Sequence, residues 1–163
     1  MTTAPLPPHL DTADMRSRLE LIASSYQRLT GRKLAPPAGD MAHALWTAPR
    51  VIVAHGTEGD PIFFFGNRAA LEQFEMSLER FAAMPSRLSA EPMLRDERKA
   101  LLDRVARDGF IEDVAGIRIS ATGRRFHIER ATVWNLIDEH GSVHGQAATF
   151  DCRSESAPER GTR

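Results

Sequence analysis

Two short runs of consecutive apolar residues, Val51-Ile52-Val53-Ala54 and Ile62-Phe63-Phe64-Phe65, constrain this chain more than any other feature. A strand with one wet face alternates apolar and polar residues, whereas an unbroken apolar run demands cover on both faces. Gly56 and the turn Thr57 to Pro61 separate the runs, so they read as a hairpin with a loop of about five residues. This hairpin forms the centre of the domain, and other elements must lie on either side of it.

Candidate cover is found both before and after it. After a cap at Asp11 or Thr12, residues Met15, Leu19, Ile22, Tyr26 and Leu29 fall on one stripe of a helix that Gly31 stops. At about 1.5–3 kcal/mol per fully buried large side chain, the stripe needs a partner surface. Pro36, Pro37 and Gly39 set the helix apart, so the partner is either the body of the domain or a second copy of the chain. A shorter helix, Asp40 to Thr47, ends ahead of Pro49. Downstream, Asn67 caps a helix Arg68 to Phe74. The apolar line Phe74, Leu78, Phe81 then continues into a piece ended by Pro85. Ser89 to Asp108 reads as a longer helix with Leu94, Leu101, Leu102 and Val105 inward, closed by Gly109. Three strands follow: Phe110 to Ser120 with a break at Gly116, Arg124 to Ile137, and Ser142 to Phe150. A hairpin, a helical block and an antiparallel meander make an α+β chain.

Hydrophobic residues are 42% and charged residues 26% of the 163, which suits one ordered domain. Residues 1–10 and 151–163 carry little to bury and are expected to be flexible, leaving 11–150 as the domain. Lys plus Arg number 21 against 22 Asp plus Glu, and a net charge of -1 gives no global attraction to nucleic acid or anionic lipid. Cys152 stands alone, so neither an intrachain disulfide nor a thiolate metal cluster is expected. No signal peptide and no run of about 20 apolar residues is present, and a cytoplasmic location is the expectation, with no membrane and no nucleic-acid partner.

The order of elements, with Asn67-Arg68-Ala69-Ala70-Leu71 straight after Ile62 to Gly66, resembles a PAS domain. The segments Leu45 to Pro49, Phe63 to Asn67, Phe74 to Met76, Met84 to Glu91 and Gly116 to Ser120 resemble the MEKHLA family more specifically. That domain is similar to the C-terminal piece of plant class III homeodomain-leucine zipper transcription factors, and in bacteria to a free-standing protein of this size. The match runs from about Leu21 to Phe150, and the free-standing bacterial form is the expectation. The resemblance implies a cupped five-stranded antiparallel sheet whose first and last strands meet in the middle, with helices across the cup and the amphipathic helix before it. It also implies a sensory or protein-interaction module, and it names no ligand. The plant DNA-binding and zipper segments have no counterpart here.

No cofactor is predicted. Flavin photosensors of this class form their adduct through a cysteine in the helical block, and Asn67 to Asp108 has none. The usual haem ligation takes a histidine from the long helix, and Ser89 to Asp108 has none. His127, Glu129 and His144 lie on adjacent strands and form either a two-histidine, one-carboxylate site or an ordinary exposed sheet face; no metal is expected. Arg87 with Ser86 and Ser89, together with Arg118, Arg124 and Arg125, would suit an anionic small molecule; otherwise Arg87 pairs with Glu91 or caps a helix end.

The aromatic set Phe63, Phe65, Phe74, Phe81, Phe110, Phe126 and Trp134 either fills the cup or lines a hollow of roughly 300 Å3. If a small, unidentified ligand occupies the cup, the expected contacts are Phe65, Asn67, Phe74, Phe81, Arg87, Ile119, Phe126 and Trp134. Asn67 carries the alternative role of helix cap alone. The interaction helix, through Met15, Leu19, Ile22, Tyr26 and Leu29, would then serve a homodimer or a protein partner. The competing expectation is a small enzyme with an NTF2-like conical pocket, an isomerase or dehydratase using His127 with Glu129 or Asp113 as acid and base. Two strands ahead of the main helical block argue against that fold.

Overall fold

The computed structural model describes residues 5–35, 40–90 and 94–154. The expected link at Pro36, Pro37 and Gly39, residues 91–93 within the expected long helix, and residues 1–4 and 155–163 of the two expected tails lie outside the described residues.

Helix α1 is Ala13–Thr30. The Thr12 hydroxyl accepts the Met15 N–H at 3.1 Å, and Gly31, at φ 78°, closes the helix by donating to the Gln27 carbonyl. A single 3-10 turn, Pro8–Leu10, precedes it. Leu10 is fully buried in the same apolar cluster as Leu19 and Ile22. Within the segment 1–10 that the sequence leads one to expect as flexible, Leu10 thus packs into the body and Leu6 lies partly buried beside it, while Pro8 and His9 are exposed. One leucine among prolines has no periodicity to reveal it. Helix α2, Met41–Trp46, starts under an Asp40 cap and ends before Pro49.

Strands β1, Val51–His55, and β2, Phe63–Gly66, form the hairpin. Helices α3, Arg68–Phe74, and α4, Leu78–Phe81, follow under caps from Asn67 and Ser77. The helix expected from Ser89 begins six residues later: Ser86–Ser89 is a separate 3-10 turn, and α5 is Arg95–Asp108. The meander is β3, Phe110–Ile119, β4, Arg125–Ile137, and β5, Val143–Ser154. β3 is one strand across Gly116, and its irregularity lies in shifted pairing around Val114, where Asp113 takes φ 58°. β5 passes the expected boundary at Phe150, and residues through Ser154 pair with β4. Asp151 and Arg153 imitate a tail in the sequence, yet they are tied by Arg50 and Arg130 at Asp151 and by Glu129 at Arg153.

The strands form one antiparallel sheet in the order β2-β1-β5-β4-β3, so the first and last strands lie side by side in the middle. Each face carries a core. On one side α1 and α2 pack Leu19, Ile22, Tyr26, Leu45 and Trp46 against Ile52, Ala54, Phe65, Trp134 and Leu136. On the other, α3 and α4 pack Phe74 and Phe81 against Val51, Val53, Phe63, Phe126 and Phe150. The α1 stripe is thus covered by the chain's own sheet, with Leu19 and Ile22 fully buried, and it is not left for a second copy. The aromatic set is divided between the faces. Phe65 and Trp134 lie under α1, while Phe63, Phe74, Phe81 and Phe126 stack in the cup with centroid separations from 4.3 to 5.4 Å.

Candidate functional site

The cup is filled at the α3–α4 end and thinly covered at the α5 end. Only Val105 of the 14 residues of α5 is fully buried, and Leu101 and Leu102 are half-buried. The C-terminal half of α5 is held by two amides rising from the sheet. Asn135 Nδ2 donates to the Val105 carbonyl at 3.1 Å, and Gln146 Nε2 donates to the Leu102 carbonyl at 3.0 Å and to Asn135 Oδ1 at 3.2 Å. The N-terminal half leans over a cavity of about 50 Å3, room for a few waters at roughly 10–15 Å3 each. Val53, Phe63, Phe74, Leu101, Ile128 and Phe150 give it apolar walls, and His55, Ser89, Arg98, Arg118 and Gln146 bring polar groups to it. A groove of about 550 Å3 between α5 and the β1–β2 loop shares His55, Arg98, Leu102 and Gln146 with the cavity.

The polar wall is cationic. Arg98 reaches in from α5. Arg118 comes from β3, where it pairs across the ladder with Phe126 and so faces the cup. Burial pushes the Arg98 guanidinium down to about 9, with Arg118 adding repulsion. Burial pushes Arg118 down to about 10, opposed weakly by the exposed Glu97. Both remain charged at neutral pH. Arg118 donates to its neighbour's carbonyl at Ile117, 2.8 Å away, and among the described residues neither guanidinium forms an ion pair. His55 is buried. Its Nδ1 lies 3.0 Å from the Gly56 carbonyl, and its Nε2 has no hydrogen-bond partner among the described residues. Burial holds the imidazole below its ordinary range, so it is neutral, with Nδ1 carrying the proton and Nε2 bare.

The expected ligand contacts fall in several places. Phe74 lines the cavity and Arg87 the groove; Phe81 and Phe126 lie behind Phe74 in the packed part of the cup. Phe65 and Trp134 are on the opposite face. The Trp134 indole is satisfied there by the Ile22 carbonyl at 3.2 Å. Ile119 faces away from the cup, because it pairs with Arg125 one step along from Arg118 and Phe126. Asn67 is a fully occupied structural amide. Its Oδ1 accepts from Ile52 N and Ala70 N, and its Nδ2 donates to the Leu45 and Arg50 carbonyls. Arg87 pairs with Asp60 at 3.1 Å, and the alternative partner Glu91 lies outside the described residues. Arg124 turns to the Gln73 carbonyl and Glu75. Of the arginine set read from the sequence, Arg118 alone lines the cavity.

The other arrangements are not assembled. His144 is bound to Asp138 at 2.8 Å and Glu129 to Arg153, and no group of three or more metal-ligating side chains is found among the described residues. Asp113 is exposed on the β3 bulge and shares no site with His127. Burial and Asp151 push the Cys152 thiol up to about 12, which leaves it a poor nucleophile. No helix among the described residues is long and apolar enough to cross a membrane.

Comparison with known proteins agrees with this fold. The homeobox-leucine zipper protein ATHB-14 of Arabidopsis thaliana is 29% identical over 139 residues, covering 79% of this chain and 16% of the plant protein. Among solved structures, a PAS domain from Colwellia psychrerythraea superposes with a TM-score of 0.59 at 17% identity, over 69% of this chain and 92% of that one. A light-oxygen-voltage domain studied with a flavin analogue gives 0.59 at 17% identity, over 71% of this chain and 85% of that one. These likenesses establish the PAS fold and remove the NTF2-like alternative. The MEKHLA domain model matches residues 16–154, and the chain belongs to the MEKHLA domain family.

Proposed function

We propose that this domain is a sensory or interaction module that holds a small ligand beneath α5 and passes its presence to a protein partner. The observation that carries this is the unfilled space under α5, a helix with one fully buried side chain laid over a cavity and an adjoining groove. A helix held so lightly has a small cost for shifting, and a ligand that fills the space changes the balance between its docked states. The homeobox-leucine zipper relatives supply a regulatory setting for such a module. They are plant proteins and do not support the expectation of a free-standing bacterial form. A cytoplasmic location fits the single unpaired cysteine.

Native mass spectrometry of the purified chain tests this directly. The expected result is a retained molecule, or a thermal shift of several degrees with a compound that fits the groove. A bare chain that no compound stabilises would reduce the domain to a plain interaction surface.

A further inference from the structure

Two guanidinium groups and a bare imidazole nitrogen converge on one half-enclosed cavity that no carboxylate of the described residues lines; Glu97, exposed on the outer side of both arginines, forms an ion pair with neither. Bringing two like charges together out of water without a counter-ion is costly, and removing such groups commonly stabilises a protein. Evolved sequences retain that arrangement where a charge of opposite sign arrives from outside. We propose that Arg98 and Arg118, with His55 beside them, form a receptor for the oxyanion head, carboxylate or phosphate, of a small molecule whose remainder lies in the groove along α5. This rests on the ligand-binding role proposed above and names its chemical class.

The geometry divides the labour. The inner cavity of about 50 Å3 suits a head group, and the groove of about 550 Å3 is within the usual range for the body of a small ligand. Arginine forks match the paired oxygens of carboxylate and phosphate, and they come from two different elements, α5 and β3. An anion bound between them would tie the N-terminal half of α5 to the sheet edge. The sheet amides Asn135 and Gln146 already tie the C-terminal half. His55 Nε2 donates a hydrogen bond to the same anion when protonated, and when neutral accepts one from the O–H of a protonated or hydroxylated head.

Calorimetry and thermal melting of the full chain, at constant ionic strength, decide the matter. The probes are inorganic phosphate, succinate, and uncharged succinamide. One of the two anions is expected to bind and raise the melting temperature, and which one does so distinguishes a phosphate head from a carboxylate head. Arg98→Gln and Arg118→Gln should weaken it at least tenfold, Arg98→Lys by less, and Arg107→Gln on the outer face of α5 by under twofold. In buffer free of added anion, Arg98→Gln and Arg118→Gln should melt higher than the parent, an effect opposite to that of losing a structural contact. Succinamide binding as tightly as succinate, unaffected by the arginine variants, would overturn the anion class and leave the ligand-binding module standing. No binding by any probe, with both glutamine variants melting lower in anion-free buffer, would remove both.

Discussion

The indole N–H of Trp134 in β4 donates to the main-chain carbonyl of Ile22 in α1 over 3.2 Å, and both residues are fully buried. The Tyr26 ring stands across the same indole at 65° with centroids 4.8 Å apart. One turn further on, Ser25 Oγ both donates to the Ile137 carbonyl and accepts the Ile137 N–H. Helix and sheet are joined by directed bonds inside an apolar layer, which fixes the rotation of α1 about its axis as well as its distance.

Replacing Trp134 with Phe keeps an aromatic ring but removes the donor and leaves a void. A loss of about 2–4 kcal/mol is expected in urea titration. Leu19→Ala should cost about 2–5 kcal/mol. The mass in sedimentation should not change. A changed mass with undiminished stability would mean that the α1 stripe serves association after all.

Asn67 joins four backbone groups from three segments, so Asn67→Ala strips a cap worth about 1 kcal/mol and leaves buried partners at about 1–3 kcal/mol each. The sum expected by chemical denaturation is about 3–5 kcal/mol. Asn67→Asp keeps the accepting oxygen and turns a donor into an oxygen facing the Leu45 and Arg50 carbonyls. The neutral acid is favoured there, the folded pKa lies above the unfolded one, and this variant should lose stability as pH rises above about 4. A pH-independent deficit would contradict that assignment.

Gly145 and Gly141 provide a matched pair. Gly145 has φ 141°, and a Cβ there would sit 2.0 Å from the His55 carbonyl oxygen, where β5 meets β1. Gly141 has φ 83° with open space around it. Gly145→Ala should cost about 4 kcal/mol or more, and Gly141→Ala about 1 kcal/mol. Equal melting temperatures for the two would show that the strand junction gives way easily.

His55 makes stability pH-dependent. Burial, above all, holds its folded pKa below the ordinary 6.5. The unfolded chain therefore takes up a proton below about pH 6.5 that the folded chain does not. Stability is intact above that pH and falls as pH is lowered, by up to about 1.4 kcal/mol per unit from this one group. Urea midpoints at pH 7.5 and 5.5 should converge in His55→Gln. An unchanged difference would place the effect elsewhere.

Local features of the fold were legible in the sequence because their causes are local. Thr12, Gly31, Asn67 and Gly109 each start or stop a helix through bonds to residues no more than four away. The cup lining was not legible. Phe63 and Phe65 lie two residues apart and Phe126 and Trp134 eight, so strict alternation puts each pair on one face; irregular pairing at Ala54/His55 and between Glu129 and Thr132 puts them on opposite faces, and the sequence does not mark those irregularities. In Ile117-Arg118-Ile119 apolarity points to Ile119, but register on Phe126 turns Arg118 inward. The step of two through Val51, Val53 and His55 was the available sign that His55 joins the cup face. Arg98 lies on a helix rich in charge, where one residue turned inward looks like all the others.

The strand that completes the middle of the sheet is the last of the five to be synthesised. A nascent chain halted before Val143 would hold β1–β2 and β3–β4 as two separate ladders, with the inner edges of β1 and β4 unpaired. Such edges are prone to join those of neighbouring polypeptides on a polysome. The middle of the sheet therefore closes last, when β5 pairs with both edges at once.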